Sequence, residues 1–348
     1  MSERRSPVSG FIAIAVVVCG AAGAFAYTAG WLSPQRLTAS KVVDALAPPE
    51  GPALGYRRNH AKGICFTGSF EASGDAAAIS YAAIFTRGQY PVIGRLNLAG
   101  PTPSASDDTG RIRGLSIQVK GPGGGEWRSG MITPPFFPVG TPEAFYALLS
   151  ASGSKDAAAM PAFIAAQPEF TAFGNWAETA PWTPSYAQNQ FNSLNAFRAT
   201  APDGTVRAVR WSAVPTVPVE AISPEDLAKR GPNALDDELR TRLDTGPVRY
   251  TMQLTVANAG DPTADPSKAW GANHRTLNAG TLVVERLEAE PDGPCRDLNY
   301  DPTVLPQGLS TGDDPFPAVR SAAYAVSYDR RTAETKHYPR QPGAAAAR

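Results

Sequence analysis

Tyr56-Arg57-Arg58-Asn59-His60-Ala61-Lys62-Gly63 carries the first of only three histidines in a chain of 348 residues. It runs directly into residues 64–72, which read as a strand. Taken alone, a histidine at the head of a strand beside two arginines is an ordinary structural residue. Its weight comes from a second stretch far downstream, Arg320-Ser321-Ala322-Ala323-Tyr324, preceded by Asp301-Pro302-Thr303-Val304-Leu305-Pro306. Residues 320–327 are compatible with a helix, and residues four apart share a helix face. The Arg320 guanidinium then lies against the Tyr324 phenol oxygen and favours its anionic form.

Between these stretches, short β-branched or aromatic runs ended by Gly, Pro, Asp or Ser give eight strand candidates. They are 63–72, 77–86, 90–98, 111–120, 192–200, 206–213, 248–258 and 281–290. Two groups of four are separated by helical material. Gly121-Pro122-Gly123-Gly124-Gly125 marks a hairpin tip; it lacks the strand-before, helix-after setting of a phosphate loop. Thr141 and Pro142 open a helix as N-cap and first helical residue. A second, Ala-rich helix covers 156–166, and Ser223-Pro224-Glu225-Asp226 opens an inserted one. With 32 Gly and 33 Pro, many turns are expected, as in an α+β chain and unlike a helical bundle. Eight antiparallel strands suit a closed barrel, which leaves no edges. A sandwich fits the pattern alone equally well.

The N-terminus is of a different kind. Residues 6–35 contain no charged side chain, and 10–32 is long enough to cross about 30 Å of hydrocarbon as a helix. Ala24-Phe25-Ala26 offers a signal-peptidase site, but the apolar run exceeds a usual cleaved signal, and Trp31 stands where an interfacial anchor would. The reading is a single-pass anchor, with a signal sequence as its alternative. Arg4 and Arg5 place residues 1–9 in the cytoplasm and the remainder on the periplasmic, extracytoplasmic side. Residues 33–54 form a tether with one short helix over 38–46, and 332–348 read as a disordered tail.

Lys+Arg and Asp+Glu are both 32, so no global field draws nucleic acid. The three cysteines form no C-x-x-C pair, and His60, His274 and His337 lack zinc-ligand spacing. Cys19 falls within the apolar segment. Cys65 and Cys295 are left either to pair in an oxidising compartment or to remain buried thiols.

Together the two opening stretches resemble the catalases. Arg57-x-x-His60-Ala61-Lys62-Gly63 is similar to their distal haem motif, and Arg320-x-x-x-Tyr324 to their proximal ligand motif. The resemblance covers about residues 40–331, with Arg113-Gly114 and 191–198 as further landmarks, and points to the small catalase-related peroxidases. It implies an antiparallel eight-stranded barrel with flanking and inserted helices over 55–331, behind the N-terminal transmembrane helix. It also implies a b-type haem with ferric iron, ligated by Tyr324, which rests on Arg320. His60 would be the distal acid–base residue, with its ordinary pKa of about 6.5, and Asn97, at the family's distal serine position, its polar partner. Arg57, Arg95 and Arg331 would hold the propionates, and Phe145, with Phe136 and Phe137, would pack beside the haem.

Two departures qualify the resemblance. The chain stops soon after the tyrosine motif, without the wrapping arm and helical domain of large catalases. Where those enzymes carry Gly-Asn-Asn-Thr-Pro, this chain has Gly130-Met131-Ile132-Thr133-Pro134, so the distal asparagine is absent. The expected activity is a haem-dependent peroxidase that reduces organic peroxides. It would also reduce hydrogen peroxide, with weak catalatic activity, and draw on an external electron donor. The rivals are a hydroperoxide-rearranging haem enzyme and a non-enzymatic haem or apolar-ligand binding module.

Overall fold

A computed structural model describes residues 7–28, 31–33 and 36–338. Among them, ten strands pair antiparallel throughout. They are β1 (Gly63–Ala72), β2 (Gly88–Leu98), β3 (Arg113–Lys120), β4 (Glu126–Ile132) and β5 (Phe191–Asn192), then β6 (Phe197–Thr200), β7 (Val206–Pro215), β8 (Val248–Val256), β9 (Arg275–Glu288) and β10 (Leu309–Thr311). Round the ring the order is β1, β2, β3, β4, β5, β7, β8, β9 and back to β1, while β6 extends from β7 and carries β10. The result is a closed eight-stranded barrel.

Period-two alternation sends one set of side chains inward, where they fill the barrel. Trp127 and Trp211 meet edge to face at 5.2 Å, and Phe197 stacks on Trp211 at 4.2 Å. Phe66, Phe70, Leu115, Ile117 and Leu282 complete the packing around them. Gly94 permits this: a Cβ there would stand 2.0 Å from the Phe66 ring. The opposite set, including Arg95, Asn97, Ser116, Gly130 and Ile132, faces away from this filling, and the functional cavity lies on that side.

The strand expected at 77–86 is not one. Asp75–Ala78 and Ala83–Phe85 are 3-10 turns that bury Ile79, Ile84 and Phe85. Gly74, at φ +95°, turns the chain there, and the Ser80 hydroxyl donates to the Gly308 carbonyl at 2.8 Å. The ring still has eight members, because β4 pairs along β3 from Lys120↔Glu126 to Gly114↔Ile132.

Eight helices among the described residues flank or precede the barrel: α1 (Pro7–Thr28), α2 (Ala39–Ala45), α3 (Pro142–Ser152), α4 (Ala159–Ala166), α5 (Phe170–Thr179), α6 (Pro224–Lys229), α7 (Ala234–Leu243) and α8 (Phe316–Ala333). Thr141 caps α3 by accepting from the Ala144 amide at 3.2 Å, and Thr38 caps α2 from Lys41 at 3.3 Å. Gly10–Thr28 is a 19-residue apolar stretch none of whose residues is buried. It is long enough for a membrane span, and a signal sequence would have the same character. The described helix runs to Thr28; residues 29 and 30 of the expected 10–32 span lie outside the described residues. Arg4 and Arg5 lie outside the described residues.

Cys65 and Cys295 are joined in a disulfide with Cα atoms 5.5 Å apart, tying β1 to the segment before α8. Structure continues past the expected boundary at 331. α8 runs to Ala333, Thr335–His337 forms a 3-10 turn, and the Glu334 carboxylate accepts from the Gly55 amide at 2.7 Å and pairs with Arg58. Residues 339–348 of the expected tail lie outside the described residues.

Candidate functional site

Outside the barrel, between its β1–β4 wall and helices α2, α3 and α8, a cavity encloses about 1330 Å³ of empty space, the mouth included. His60, Asn97, Arg57, Arg95, Phe145, Arg320, Tyr324 and Arg331 all line it. Phe137 lines it too, while Phe136 does not.

His60 enters just before β1 with a left-handed backbone, φ +54°, a conformation uncommon for a non-glycine residue. Two residues hold it there. The Asn59 carboxamide oxygen accepts from the His60 amide at 2.9 Å and from Gly100 at 3.0 Å. Arg95 donates to the His60 carbonyl at 2.7 Å and to Ala61 at 3.1 Å. The ring is fixed separately: Nδ1 lies 2.6 Å from Asn97 Oδ1. With that oxygen accepting from Nδ1–H, Nε2 is the free, basic nitrogen. Burial pushes the His60 pKa down to about 4, against the raising effect of the Asn97 bond, and the guanidiniums of Arg95, Arg320 and Arg57 push the same way as burial. The imidazole is therefore neutral at pH 7.

Tyr324 comes from the other wall. Arg320, one helical turn earlier, donates to its phenol oxygen at 3.1 Å. Arg320 is itself held by the Asn195 side-chain oxygen at 2.7 Å and the Gly130 carbonyl at 3.1 Å. Asn195 in turn donates to Asp314 at 2.8 Å. Gly130 keeps the space beside the phenol clear: a Cβ there would sit 3.5 Å from the phenol oxygen and 3.0 Å from Arg320.

Arg57, Arg95 and Arg331 lie in one electropositive group. Arg95 is bidentate to Glu290, at 2.9 and 2.7 Å, and with its two backbone contacts has all its nitrogens engaged. Arg57 donates to the carbonyls of Cys295 at 2.8 Å, Leu298 at 3.0 Å and Arg296 at 3.2 Å. Arg331 donates to that same Arg296 carbonyl. Burial, then Arg95 and Arg331, lower the Arg57 pKa to about 10. Arg57 Nε and Arg331 Nη2 are buried without a hydrogen-bond partner. Such donors are costly unless something accepts from them, so the cavity suits a ligand that brings carboxylates. With a phenol oxygen backed by a guanidinium, these donors fit a dianionic ferric porphyrin.

The remaining lining is apolar. Ile132 lies on one side, next to Met131, whose side chain packs into the barrel core. Phe137, Phe145 and Phe316 form an aromatic triangle with centroids 4.7–6.4 Å apart. Val42, Val43 and Leu46 of the α2 region close over the top. Sequence reasoning missed Glu290, Asn59, Asn195 and Asp314, which hold the site residues in place. Asn59 and Asn195 alone carried a signal, since they fall within the 56–63 motif and the 191–198 landmark.

A family model named Catalase matches residues 26–339. A catalase-related peroxidase of Synechococcus elongatus is 31% identical over 302 residues, 85% of this chain and 89% of that protein. One of Mycolicibacterium paratuberculosis is 30% identical over 299 residues, 85% of this chain and 95% of that protein. Among solved structures, a bacterial catalase superposes with a TM-score of 0.70 at 16% identity, over 80% of this chain and 58% of that one. Catalase A from Saccharomyces cerevisiae gives 0.70 at 17%, over 80% and 61%. The chain thus spans about three-fifths of the solved catalases and nearly all of the catalase-related peroxidases it matches.

Proposed function

The chain belongs to the catalase family and is a peroxide-acting oxidoreductase; from that premise we propose that it is a haem peroxidase reducing organic hydroperoxides at the expense of an external electron donor. The carrying observation is that His60 and Tyr324 reach one cavity from two walls, beside Arg57 Nε, 3.7 Å from Glu290 Oε1, and Arg331 Nη2, both buried without a hydrogen bond. Tyr324 would ligate the iron and the two arginines would receive the propionates of a b-type haem. Arg95, each of whose nitrogens already bonds within the chain, serves the reading by fixing the backbone of His60 and neutralising Glu290.

When bound, ferric haem supplies an iron that takes up peroxide oxygen and exchanges electrons. The chain's own contribution is proton movement and orientation. His60 Nε2, neutral and aimed by the Asn97 contact, takes the peroxide proton and returns it to the departing oxygen, which leaves as water or an alcohol. Arg320 steadies negative charge on the Tyr324 oxygen. Met131 and Ile132 offer no hydrogen-bond donor, so nothing on their side orients a second hydrogen peroxide. Disproportionation should accordingly be weak, since positioning is a large part of such a rate. The same apolar lining accommodates alkyl groups, which supports organic hydroperoxides as oxidants. The N-terminal helix is assigned to a membrane anchor that leaves the haem domain on the extracytoplasmic side. The Cys65–Cys295 bond suits an oxidising compartment.

The test is the absorption spectrum of the purified full chain. A ferric tyrosinate haem spectrum is expected, and Tyr324→Phe should abolish that ligation. A chain that takes up no haem, or a spectrum indifferent to Tyr324→Phe, would defeat the reading.

A further inference from the structure

Residues 157–177 contain a single charged side chain, Glu169, although they form a surface layer. At the chain's average of 18% charged residues, a run of this length would carry about four. In α4, Phe163 is buried and Met160 packs against the same cluster; Pro161, Ala162, Ala165 and Ala166 are exposed, and Ile164 is 41% exposed. Single apolar residues on a surface are ordinary, but a contiguous face without charge marks an interaction site.

What the face adjoins identifies its occupant. Phe163 meets Phe170 at 5.4 Å, Phe170 meets Phe173 at 5.7 Å, and Phe173 meets Trp176 at 5.6 Å. Inward, Phe163 belongs to the same packed cluster as Phe316, with Phe137 and Phe145 against it, and these three line the cavity. An apolar layer therefore leads from the outer face of α4 through these rings to the functional cavity, whereas the exposed positions of α5 include Thr171, Asn175, Glu178 and Thr179. The second observation is the short tether. Ten residues, 29–38, separate the apolar helix α1 from α2, which packs on α3 and α8 and lines the cavity. Fully extended, such a link reaches no more than about 40 Å. A membrane-held α1 thus keeps α2, and the α3–α5 layer against it, close to the lipid surface. Trp176 has the character of an interfacial residue, and Arg111, which bonds the Ala177 carbonyl, suits headgroup phosphates.

We propose that the outer face of α4 rests in the bilayer interface, and that the site draws its substrates, hydroperoxides of lipid acyl chains, from that surface. This rests on the peroxidase and anchor readings above and adds the surface and the substrate class. It accounts together for a charge-poor exposed layer, a short tether and an apolar cavity lining.

The experiment uses the full chain carrying Cys19→Ser and Ile164→Cys, labelled with bimane and reconstituted in phosphatidylcholine vesicles. Brominated phosphatidylcholine should quench the label, and aqueous iodide should not. Quenching by iodide alone overturns the docking, as does protection from both quenchers, which would show a second copy of the chain covering the face. Delivery is read on Ile164→Glu combined with Ala165→Glu. Turnover of phosphatidylcholine hydroperoxide held in the same vesicles should fall about tenfold, with tert-butyl hydroperoxide turnover within about twofold of the parent. No selective loss overturns delivery. If the parent turns over neither peroxide, the functional reading fails and delivery with it, while docking stands or falls on the quenching alone.

Discussion

His60 sits in a backbone conformation that its residue type disfavours, and its surroundings over-determine it. Asn59 and Arg95 fix the main chain, and Asn97 fixes the ring. Such arrangements persist where a side chain must point one way. Asn97→Ala should leave haem uptake intact and slow donor oxidation with an alkyl hydroperoxide by about tenfold, because Nδ1 loses its acceptor and the ring its orientation. The lowered pKa, about 4 against the ordinary 6.5, makes a second expectation with a definite sign. Below pH 6.5 the unfolded chain protonates this histidine while the folded chain does not. The unfolded state then binds more protons, so stability falls as pH drops from 6.5 towards 4. Melting temperatures recorded over that window should drop less steeply for His60→Gln than for the parent chain. Parallel curves would refute the depressed pKa.

At the scale of elements, the segment 290–300 is more than a connection. Glu290 holds Arg95, the carbonyls of Cys295, Arg296 and Leu298 hold Arg57, and Arg331 reaches the same Arg296 carbonyl. The disulfide to β1 pins this segment. Cys65→Ala with Cys295→Ala should cost about 2–4 kcal/mol of stability and weaken haem retention, measured as haem lost to apomyoglobin over time. Unchanged haem loss would show that the arginines are held without the bond. The three arginines and the Cys65–Cys295 pairing, one of two alternatives, were offered by the sequence; the acceptors were not legible, because Glu290 and the backbone carbonyls are ordinary until the fold brings them to the arginines. The strand error has a comparable cause. Residues 77–86 are apolar enough for a strand, yet tertiary packing uses them as two 3-10 turns. By contrast, β4, Glu126-Trp127-Arg128-Ser129-Gly130-Met131-Ile132, is a ladder strand despite its glycine. That glycine serves the site: it clears room for the Tyr324 phenol.

For the molecule as a whole, the sequence was most informative where chemistry restricts residue choice. A histidine framed by Arg57 and Gly63, and a tyrosine one turn after Arg320, could be read without a structure. The helix termini at Thr141 and Ser223 could be read as well, because their caps are local. The closure of β7 on β8 and the placement of α2 over the cavity depend on contacts distant in sequence. The assignment of α1 as an anchor predicts that the full chain sediments with membranes and resists carbonate extraction. A mature N-terminus at Tyr27 would show instead that the segment is a cleaved signal.

The central claim joins haem peroxidase chemistry to His60, and turnover per bound haem tests it most directly. Full-length parent and His60→Ala are loaded with haem and quantified. Each is then assayed for donor oxidation with cumene hydroperoxide. The parent should turn over, and His60→Ala, holding the same haem, should be slower by about a hundredfold or more. A haem-replete parent that oxidises no donor, or a His60→Ala chain as fast as the parent, would contradict the account.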